Sequence, residues 1–196
     1  MKIHNTPLNS ALKVIKKEQI KRIISIYSPN NSFPLFPEVK ATNILRLCFN
    51  DIDHSRDNLK PVSQRDIRKI LKFAMGSHQN TDILIHCYAG VSRSIAISII
   101  IYFMHNRNIR PSDLYSLIME KAPFANPNKL VLKQAGRVLK EEQFFQELVK
   151  NFTQKKKNFW ISRILSKFLI FFRLTNILFY IIILQLYYAF MVLYKI

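Results

Sequence analysis

The chain has 196 residues, 49% of them hydrophobic, so it can bury one substantial core but is too short for two ordinary domains with a linker. Its formal charge of +18, from 30 basic and 12 acidic residues, favours anionic partners such as phosphorylated substrates, acidic lipid or nucleic acid. The two cysteines form no CxxC pair, so they indicate neither a disulfide framework nor a cysteine-rich zinc site, and they fit a reducing compartment. Residues 1–19 lack the pattern of a secretory signal.

The first half of the chain alternates between helical and extended patterns. In chain order, we predict a helix over residues 7–19, a strand around 23–26, a proline-rich loop over 29–37 and a second strand over 43–49. A polar segment follows, and a helix restarts near Ser63. Ser63 is a favourable N-cap for that helix because Asp66, three residues on, completes a capping box.

The second half is expected to contain the centre of the fold. The apolar run Ile83-Leu84-Ile85 predicts a central strand covered on both faces by helices, and residues 92–106 predict a helix that is buried nearly all round. Two further helices are predicted over 112–121 and 128–150. This order predicts an α/β fold in which helices flank a largely parallel central sheet, within one domain over residues 1–150.

The composition changes after Lys150. Residues 151–196 contain no Asp or Glu, carry three consecutive lysines at 155–157 and end in a long apolar run. The segment therefore predicts a basic and hydrophobic C-terminal helical tail that is separate from the domain.

The segment from His86 to Ser94 places a cysteine where a buried strand ends and a short loop leads into a helix. At such a position unpaired backbone N–H groups and the positive end of the helix dipole favour an anion. They also stabilise a thiolate, which makes Cys87 a candidate nucleophile. Arg93 would lie in the first turn of the helix, where its planar fork can bind two phosphate oxygens. Gly90 lets the backbone approach a bound anion closely, so the loop amides can form a nest.

The spacing Cys87-x5-Arg93, in the longer form HCxAGxSRS, resembles the signature of the protein tyrosine phosphatase superfamily, closest to its small dual-specificity branch. The similarity in element order covers roughly residues 21–145. It implies that residues 1–150 are a phosphatase-like catalytic domain acting on phosphotyrosine, and also on phosphoserine and phosphothreonine, through a phosphocysteine intermediate. The implied partners are phosphorylated proteins. The resemblance implies no metal or other cofactor, in keeping with five histidines that are scattered singly.

The resemblance also implies a role for each residue of the signature. Cys87 would be the nucleophile, Arg93 would hold the phosphoryl group, Ser94 would help the sulfur to leave, and His86 would orient and tune the thiol. The general acid would be Asp51, which follows Asn50 in the loop after the second strand, with Asp53 as the alternative. The substrate-binding residues would be Tyr88, Ala89, Gly90, Val91, Ser92 and Arg93.

Five residues in or near this site have a second interpretation. Cys87 can instead be a buried structural cysteine, and Asp51 and Asp53 can belong to a solvated loop face. Cys48 is either a core cysteine or the partner of Cys87 in a reversible disulfide. Asn128 either lies near the anion loop or simply caps a helix, and the sequence does not decide between the two.

Two other functions are compatible with the sequence. One is a non-catalytic module that binds phosphorylated partners, although an intact Cys87, Arg93 and candidate acid argue against it. The other is hydrolysis of a phosphoinositide or an RNA 5′-triphosphate, since the chain is so basic, although the loop interior lacks the lysines that lipid phosphatases of this superfamily tend to carry. No zinc-finger spacing, RNA-binding sheet signature or basic heptad region predicts specific binding of nucleic acid.

We predict that the tail attaches the protein to a membrane through a transmembrane helix, with the catalytic domain on the cytoplasmic side. Residues 177–194 are interrupted only by Gln185, and an 18-residue helix reaches roughly 27 Å, close to the thickness of a hydrocarbon core. Basic residues are concentrated on the domain side of this run, as the positive-inside rule expects of a cytosolic flank. The alternatives are a hydrophobic helix packed on the domain or a partner, and a tail translated from AT-rich DNA.

Fractionation of the full chain beside a version that ends at Lys150 measures this attachment. The expected result is membrane binding by the full chain alone. If both versions stay soluble in high salt and in carbonate, the tail is no anchor.

Overall fold

A parallel sheet is the framework of the part of the chain that the structure describes. The structure is a computed structural model, and it describes residues 1–76 and 81–154 together with the single residue Gln185. The strands within this part are β1 (Ile3–Pro7), β2 (Arg22–Tyr27), β3 (Ile44–Cys48) and β4 (Ile83–Cys87). Their order in the sheet is β1-β4-β2-β3, and every neighbouring pair is parallel. The predicted α/β class with a largely parallel sheet is confirmed.

Helices cover both faces of this sheet. They are α1 (Leu8–Glu18), α2 (Gln64–Ala74), α3 (Arg93–His105), α4 (Pro111–Lys121) and α5 (Lys129–Leu139), followed by a helical segment over 142–154. A smaller apolar cluster joins α1 to one face, and a larger cluster joins α2, α3 and α5 to the other. Because parallel strands need crossover connections, the helices between them pack on the sheet and bury both of its faces.

Alternation along β4 sends its side chains to both faces. Ile83, Ile85 and Cys87 belong to the larger cluster, whereas Leu84 belongs to the smaller one. All five residues of this strand are buried, as predicted for a central strand. Since successive strand residues point to opposite faces, Cys87 and its neighbour His86 lie on different sides of the sheet.

The start of α2 has the local structure that its sequence predicts. The Asp66 backbone N–H donates to Ser63 Oγ at 3.2 Å, and the Ser63 backbone N–H donates to the Asp66 carboxylate at 3.0 Å. This capping box satisfies backbone donors that have no partner inside the helix. The helix then buries Ile67 and Ile70 in the larger cluster.

The strand β1 is not predicted by the sequence pattern. Its five residues, Ile-His-Asn-Thr-Pro, contain one large aliphatic side chain and show no alternation of apolar and polar positions. The strand forms because it pairs with β4 over its whole length, from Ile3 with Ile83 to Pro7 with Cys87. That pairing is a tertiary contact, which local propensity does not encode.

The single helix predicted over residues 128–150 is wrong, because the chain forms two helices there. Lys140 adopts a left-handed conformation with φ of 56° and ends α5, and its N–H donates to the Gly136 carbonyl. Gly136 also lets the next helix start close by, since a Cβ at this position would lie 3.1 Å from Glu142 Cα. A lysine in the left-handed region gives no sequence signal, because glycine and asparagine are the usual residues there.

Residues Met1–Phe152 form one compact unit, to which the rest of the chain does not belong. The predicted tail lies outside the described residues, apart from 151–154 and Gln185, so its helix and its membrane attachment stay predictions. Within the described ranges, no helix combines the length and the apolar character needed to cross a lipid bilayer.

Candidate active site

The carboxyl ends of β2, β3 and β4 meet at one edge of the sheet, where open α/β sheets bind their ligands. The strand β4 ends at Cys87, the chain after β3 leads to Asp51, and Ser28 directly follows β2. The loop over residues 88–92 joins β4 to α3, whose first residue is Arg93. Cys87 and Asp51, which are predicted to carry the chemistry, therefore converge at this edge together with Ser28.

Cys87 lies at the base of this site with 1% of its surface exposed. The Gly90 backbone N–H donates to Cys87 Sγ at 3.3 Å, and Ser94 Oγ lies 3.3 Å from the same sulfur. An amide N–H and a hydroxyl are both donors, so both can stabilise negative charge on the sulfur. Ser94, predicted to help the sulfur to leave, is thus in contact with it.

The loop over residues 88–92 directs backbone N–H groups towards its inside, because donors from other parts of the chain bind its carbonyl oxygens from outside. On the side of β1, the Leu8 N–H donates to the Tyr88 carbonyl at 3.1 Å and the Asn5 side chain donates to the Gly90 carbonyl at 2.6 Å. On the side of α5, the Asn126 N–H donates to the Val91 carbonyl at 3.0 Å and the Asn128 N–H donates to the Ser92 carbonyl at 3.3 Å. A trans peptide unit points its N–H away from its C=O, so the amides that follow these carbonyls face the inside of the loop. Amides converging above a buried thiol form a nest for an anion.

Gly90 is required by the shape of this loop. Its φ is +73°, in the left-handed region, and a Cβ at this position would lie 2.5 Å from Pro7 N and 2.7 Å from the Thr6 carbonyl carbon. Neither backbone atom can move aside like the end of a flexible side chain. The loop therefore packs directly on the end of β1, and only glycine fits.

Arg93 is held in one orientation with 5% of its surface exposed. Its Nη1 donates to the Phe49 carbonyl at 3.0 Å and to Ser28 Oγ at 3.1 Å. Its Nε is buried, has no hydrogen-bond partner among the described residues, and lies 3.6 Å from Asp51 Oδ2. A buried donor without an acceptor is costly, and a phosphate oxygen would satisfy this one.

Asp51 is fixed by two donors from different elements. Its Oδ1 accepts hydrogen bonds from Ser92 Oγ at 2.6 Å and from Asn128 Nδ2 at 2.7 Å. Asn128 is 2% exposed, and its Nδ2 also donates to the Ile52 carbonyl at 3.1 Å. Its Oδ1 accepts from the Val131 N–H at 2.9 Å and so caps α5. Both interpretations of Asn128 therefore hold, since one amide caps a helix and anchors the candidate acid.

Asp53 lies elsewhere, on the wall of a cleft beside α5. The structure thus brings Asp51 to Arg93, and Asp53 makes no ion pair with Arg93 in the described part of the chain. Across the same residues, no group of three or more His, Cys, Asp or Glu side chains is arranged to hold a metal ion.

His86 is buried on the sheet face opposite Cys87. Its ring packs edge-on against Phe36 and Tyr27, with centroid separations of 5.4 and 6.2 Å. Burial lowers the pKa of His86 to about 4, and a weaker interaction with the Cys87 backbone only partly offsets this effect. The ring is therefore neutral at pH 7, so any influence on the thiol acts through packing rather than through a positive charge.

The disulfide between Cys48 and Cys87 that the sequence left open is ruled out by the strand order. The strand β2 lies between β3 and β4, so the two backbones are roughly 9–10 Å apart, beyond the reach of about 7 Å for a disulfide. Cys48 pairs with Tyr27 in the parallel register, whereas its neighbour Leu47 belongs to the larger cluster with Cys87. The two sulfurs therefore also lie on opposite faces of the sheet.

A cleft of about 290 Å³ opens beside the loop and reaches Arg93. Its walls include Tyr27, Ser28, Asn31 and Tyr88, and Tyr88 is 73% exposed. Two aromatic rings beside an arginine form a surface suited to a planar, phosphorylated group.

Sequence reasoning missed two side chains that position the site. Asn5 holds the Gly90 carbonyl, and Ser28 holds Arg93. Each is a polar residue in or just after a strand, and nothing in the local pattern distinguishes it from an ordinary turn residue. Only the pairing of strands brings them to the loop.

A family model described as the catalytic domain of dual specificity phosphatases matches residues 3–141. The chain is 35% identical over 66 residues to a probable dual specificity protein phosphatase of Dictyostelium discoideum, and 28% identical over 123 residues to dual specificity protein phosphatase 8 of Mus musculus. These matches cover 34% and 62% of this chain but 16% and 18% of the two relatives. The chain thus spans less than a fifth of their length.

Two solved structures are similar over most of their length. A human tyrosine phosphatase-like serine/threonine/tyrosine-interacting protein is 26% identical, with a TM-score of 0.55 over 70% of this chain and 91% of that one. The structure of DUSP15 is 22% identical, with a TM-score of 0.56 over 78% of this chain and 90% of that one. The second likeness concerns the fold alone.

We expect the free energy of unfolding to fall between pH 7.5 and pH 5, partly because His86 must stay neutral in the core. Its pKa is about 4 in the folded chain and about 6.5 in an unfolded one. The unfolded state therefore takes up the proton first as the pH falls, and stability is lost from about pH 6.5 down to about pH 4. At pH 5 this group alone should cost about 2 kcal/mol relative to pH 7.5.

Urea unfolding of the parent and of His86→Gln at both pH values isolates this contribution, because other titrating groups affect both proteins equally. The loss on acidification should be about 2 kcal/mol larger in the parent. Equal losses would show that His86 does not titrate as described.

Proposed function

The chain belongs to the dual specificity phosphatase family, and on this premise we propose that it hydrolyses phosphomonoesters of proteins, phosphotyrosine first of all, through a phosphocysteine intermediate. The observation that carries the proposal is the arrangement around Cys87 Sγ. The Gly90 N–H and Ser94 Oγ contact the buried sulfur, and the loop that follows Cys87 leads directly to the fixed guanidinium of Arg93, which lies beside the candidate acid Asp51. These are the groups that transfer of a phosphoryl group to a thiolate needs.

In the first step, the Cys87 thiolate attacks phosphorus and the bond from phosphorus to the ester oxygen breaks. The loop amides and Arg93 bind the three non-bridging oxygens, whose charge they offset in the transition state. Asp51, entering as a carboxylic acid, gives its proton to the departing oxygen. Its Oδ2 lies 3.6 Å from Arg93 Nε, on the side where a phosphoryl group held by Arg93 would be.

In the second step, the Asp51 carboxylate takes a proton from water and the water oxygen attacks phosphorus. The bond between sulfur and phosphorus breaks, and inorganic phosphate leaves. The sulfur departs as a thiolate, which Ser94 Oγ stabilises by a hydrogen bond from 3.3 Å. One carboxyl group thus serves as acid and then as base, and no metal takes part.

The cleft beside the loop supports phosphotyrosine as the main substrate. The cleft reaches Arg93, whereas Cys87 itself is buried, so a phosphorylated side chain must be long enough to reach the sulfur. Tyr27 and Tyr88 line this cleft, where they can pack against a phenyl ring. Residues 88–92 include no lysine, so the loop offers no extra cation for the additional phosphates of a phosphoinositide or a 5′-triphosphate.

The alternative is a module that binds phosphorylated partners without turnover. A structurally similar protein is named as tyrosine phosphatase-like and interacting, which concerns that protein. Here Ser94 contacts the Cys87 sulfur and Asp51 lies beside Arg93, and turnover needs Ser94 and Asp51 whereas mere binding does not. We therefore favour the enzyme.

We predict that Cys87→Ser in the full chain lowers turnover of a phosphotyrosine peptide by roughly 10⁴- to 10⁶-fold, because it removes the nucleophile. Binding of the same peptide should persist, since the amides and Arg93 are unchanged. Steady-state kinetics and calorimetric titration measure the two effects. Cys48→Ser is the matched control and should keep its activity, because Cys48 lies two strands away. A Cys87→Ser protein with near-parental turnover would refute the mechanism.

We predict that Asp51→Asn slows hydrolysis of a phosphate with a poor leaving group, such as phenyl phosphate, by about 10²- to 10⁴-fold. It should affect p-nitrophenyl phosphate much less, because that leaving group departs with little protonation. Asn128→Ala should show the same pattern at about tenfold, since it removes one of the donors that fix the carboxylate. An even loss across both substrates would indicate a purely structural role for Asn128.

The matched control is Asp53→Asn, which should leave both rates near the parental values. If Asp53→Asn shows the dependence on the leaving group and Asp51→Asn does not, the acid is Asp53.

A further inference from the structure

A cleft of about 470 Å³ lies between α5 and the helical segment over 142–154, outside the loop that surrounds Cys87. Four cationic side chains line it, and we name it the basic cleft after them: Lys129, Lys133, Arg137 and Lys150. None of the four forms an ion pair with another residue of the described part of the chain. The cleft therefore presents an excess of positive charge, since its four cations face only two carboxylates, those of Asp53 and Glu142.

The arrangement of three of these cations opposes helix formation locally. Lys129, Lys133 and Arg137 are four residues apart along α5, so they lie on one face of that helix. Like charges at this spacing repel one another and destabilise a helix. An anionic ligand in the basic cleft would remove that repulsion, which favours binding.

The basic cleft adjoins the catalytic loop. Lys129 directly follows Asn128, whose side chain holds Asp51, and Asp53 on the cleft wall lies two residues after Asp51. A polypeptide with its phosphorylated residue at Cys87 would therefore have neighbouring residues within reach of the cleft.

Resting on the function proposed above, we propose that the basic cleft binds an acidic peptide segment of the protein substrate, next to the phosphorylated residue. Carboxylates of Asp or Glu would pair with the four cations, most of which are flexible lysines that accept varied geometry. Gln146 offers an amide for the peptide backbone at the same wall. The volume is within the range of pockets that hold a few side chains.

Two features of the cleft favour a peptide over other anions. Asp53 and Glu142 also line it, so a densely charged polymer such as nucleic acid would bring phosphates against two carboxylates. A peptide can place uncharged residues at those points. A concave wall is also poorly matched to a flat membrane surface. Residues 151–196 of the chain itself contain no acidic residue, so they supply no carboxylate for the four cations.

Fluorescence anisotropy of the full chain with a fluorescein-labelled, unphosphorylated peptide in which Glu alternates with Ser tests the basic cleft without any turnover. The variant Lys133→Glu/Arg137→Glu reverses two exposed charges of the cleft. The control Lys13→Glu/Lys21→Glu makes the same change of net charge at two residues that do not line the cleft, one in α1 and one just before β2. Any contribution of the basic tail is equal in all three proteins.

The cleft variant should bind the peptide about tenfold more weakly than the parent, and the control within about twofold of it, at an ionic strength of about 0.05 M. Equal weakening in both variants, or none in the cleft variant, overturns the proposal. So does a result in which the cleft variant loses binding to vesicles of phosphatidylcholine and phosphatidylserine while it keeps peptide binding.

Kinetics then separate this proposal from the proposed function. The parent should prefer a phosphotyrosine peptide flanked by Glu over one flanked by Gln by about tenfold in kcat/KM, and the cleft variant should lose most of that preference. Its rate on p-nitrophenyl phosphate should not change. If no peptide is hydrolysed at all, the proposed function fails, whereas the anisotropy measurement still decides whether the cleft binds acidic peptide.

Discussion

The backbone orientation of the loop between β4 and α3 is the constraint on which the rest of this structure depends. Several amide dipoles that point at one centre repel one another until an anion arrives, so the loop cannot hold this shape by itself. The bonds that hold it come from distant parts of the chain, with Asn5 and Leu8 on one side and Asn126 and Asn128 on the other. Residues far before and well after the loop in the sequence therefore fix the site.

Arg93, like the loop amides, has to be held in place by other parts of the chain until an anion binds. A guanidinium inside a protein is stable only when its donors are satisfied or face an anion. The Phe49 carbonyl and Ser28, from the ends of β3 and β2, hold Nη1, which leaves the Nε edge towards Asp51 and the loop. Residues that follow two strands of the sheet thus orient the arginine, and the loop precedes it in the chain. The site is assembled from elements that the sheet order makes adjacent.

How far the sequence predicts this arrangement depends on whether the responsible contact is local. The capping box of Ser63 and Asp66, the buried strand β4 and the loop glycine all follow from neighbouring residues, and the structure contains each of them. The strand β1 and the role of Asn5 depend on pairing across the sheet and leave almost no local signal.

The positions of Cys48 and Lys140 are two further features that the local sequence does not predict. Which face Cys48 occupies depends on the register of β3 against β2, and a shift of one residue would reverse it. The break at Lys140 depends on the close approach of two helices at Gly136, and helix propensity alone favours continuing through it. In both cases the deciding contact is made by a residue that is remote or atypical for its role.

The charge of the chain bears on function through its placement rather than its total. Seven of the 30 basic residues and none of the 12 acidic ones lie beyond residue 150, so residues 1–150 still carry 23 basic residues against 12 acidic ones. Of these basic residues, the proposed catalytic mechanism uses only Arg93. The helix α5 tolerates three cations on one face because Asn128 caps its start and its opposite face is buried in the larger cluster. One rigid helix therefore fixes both the candidate acid, through Asn128, and the basic face, so the two keep a constant position relative to Cys87.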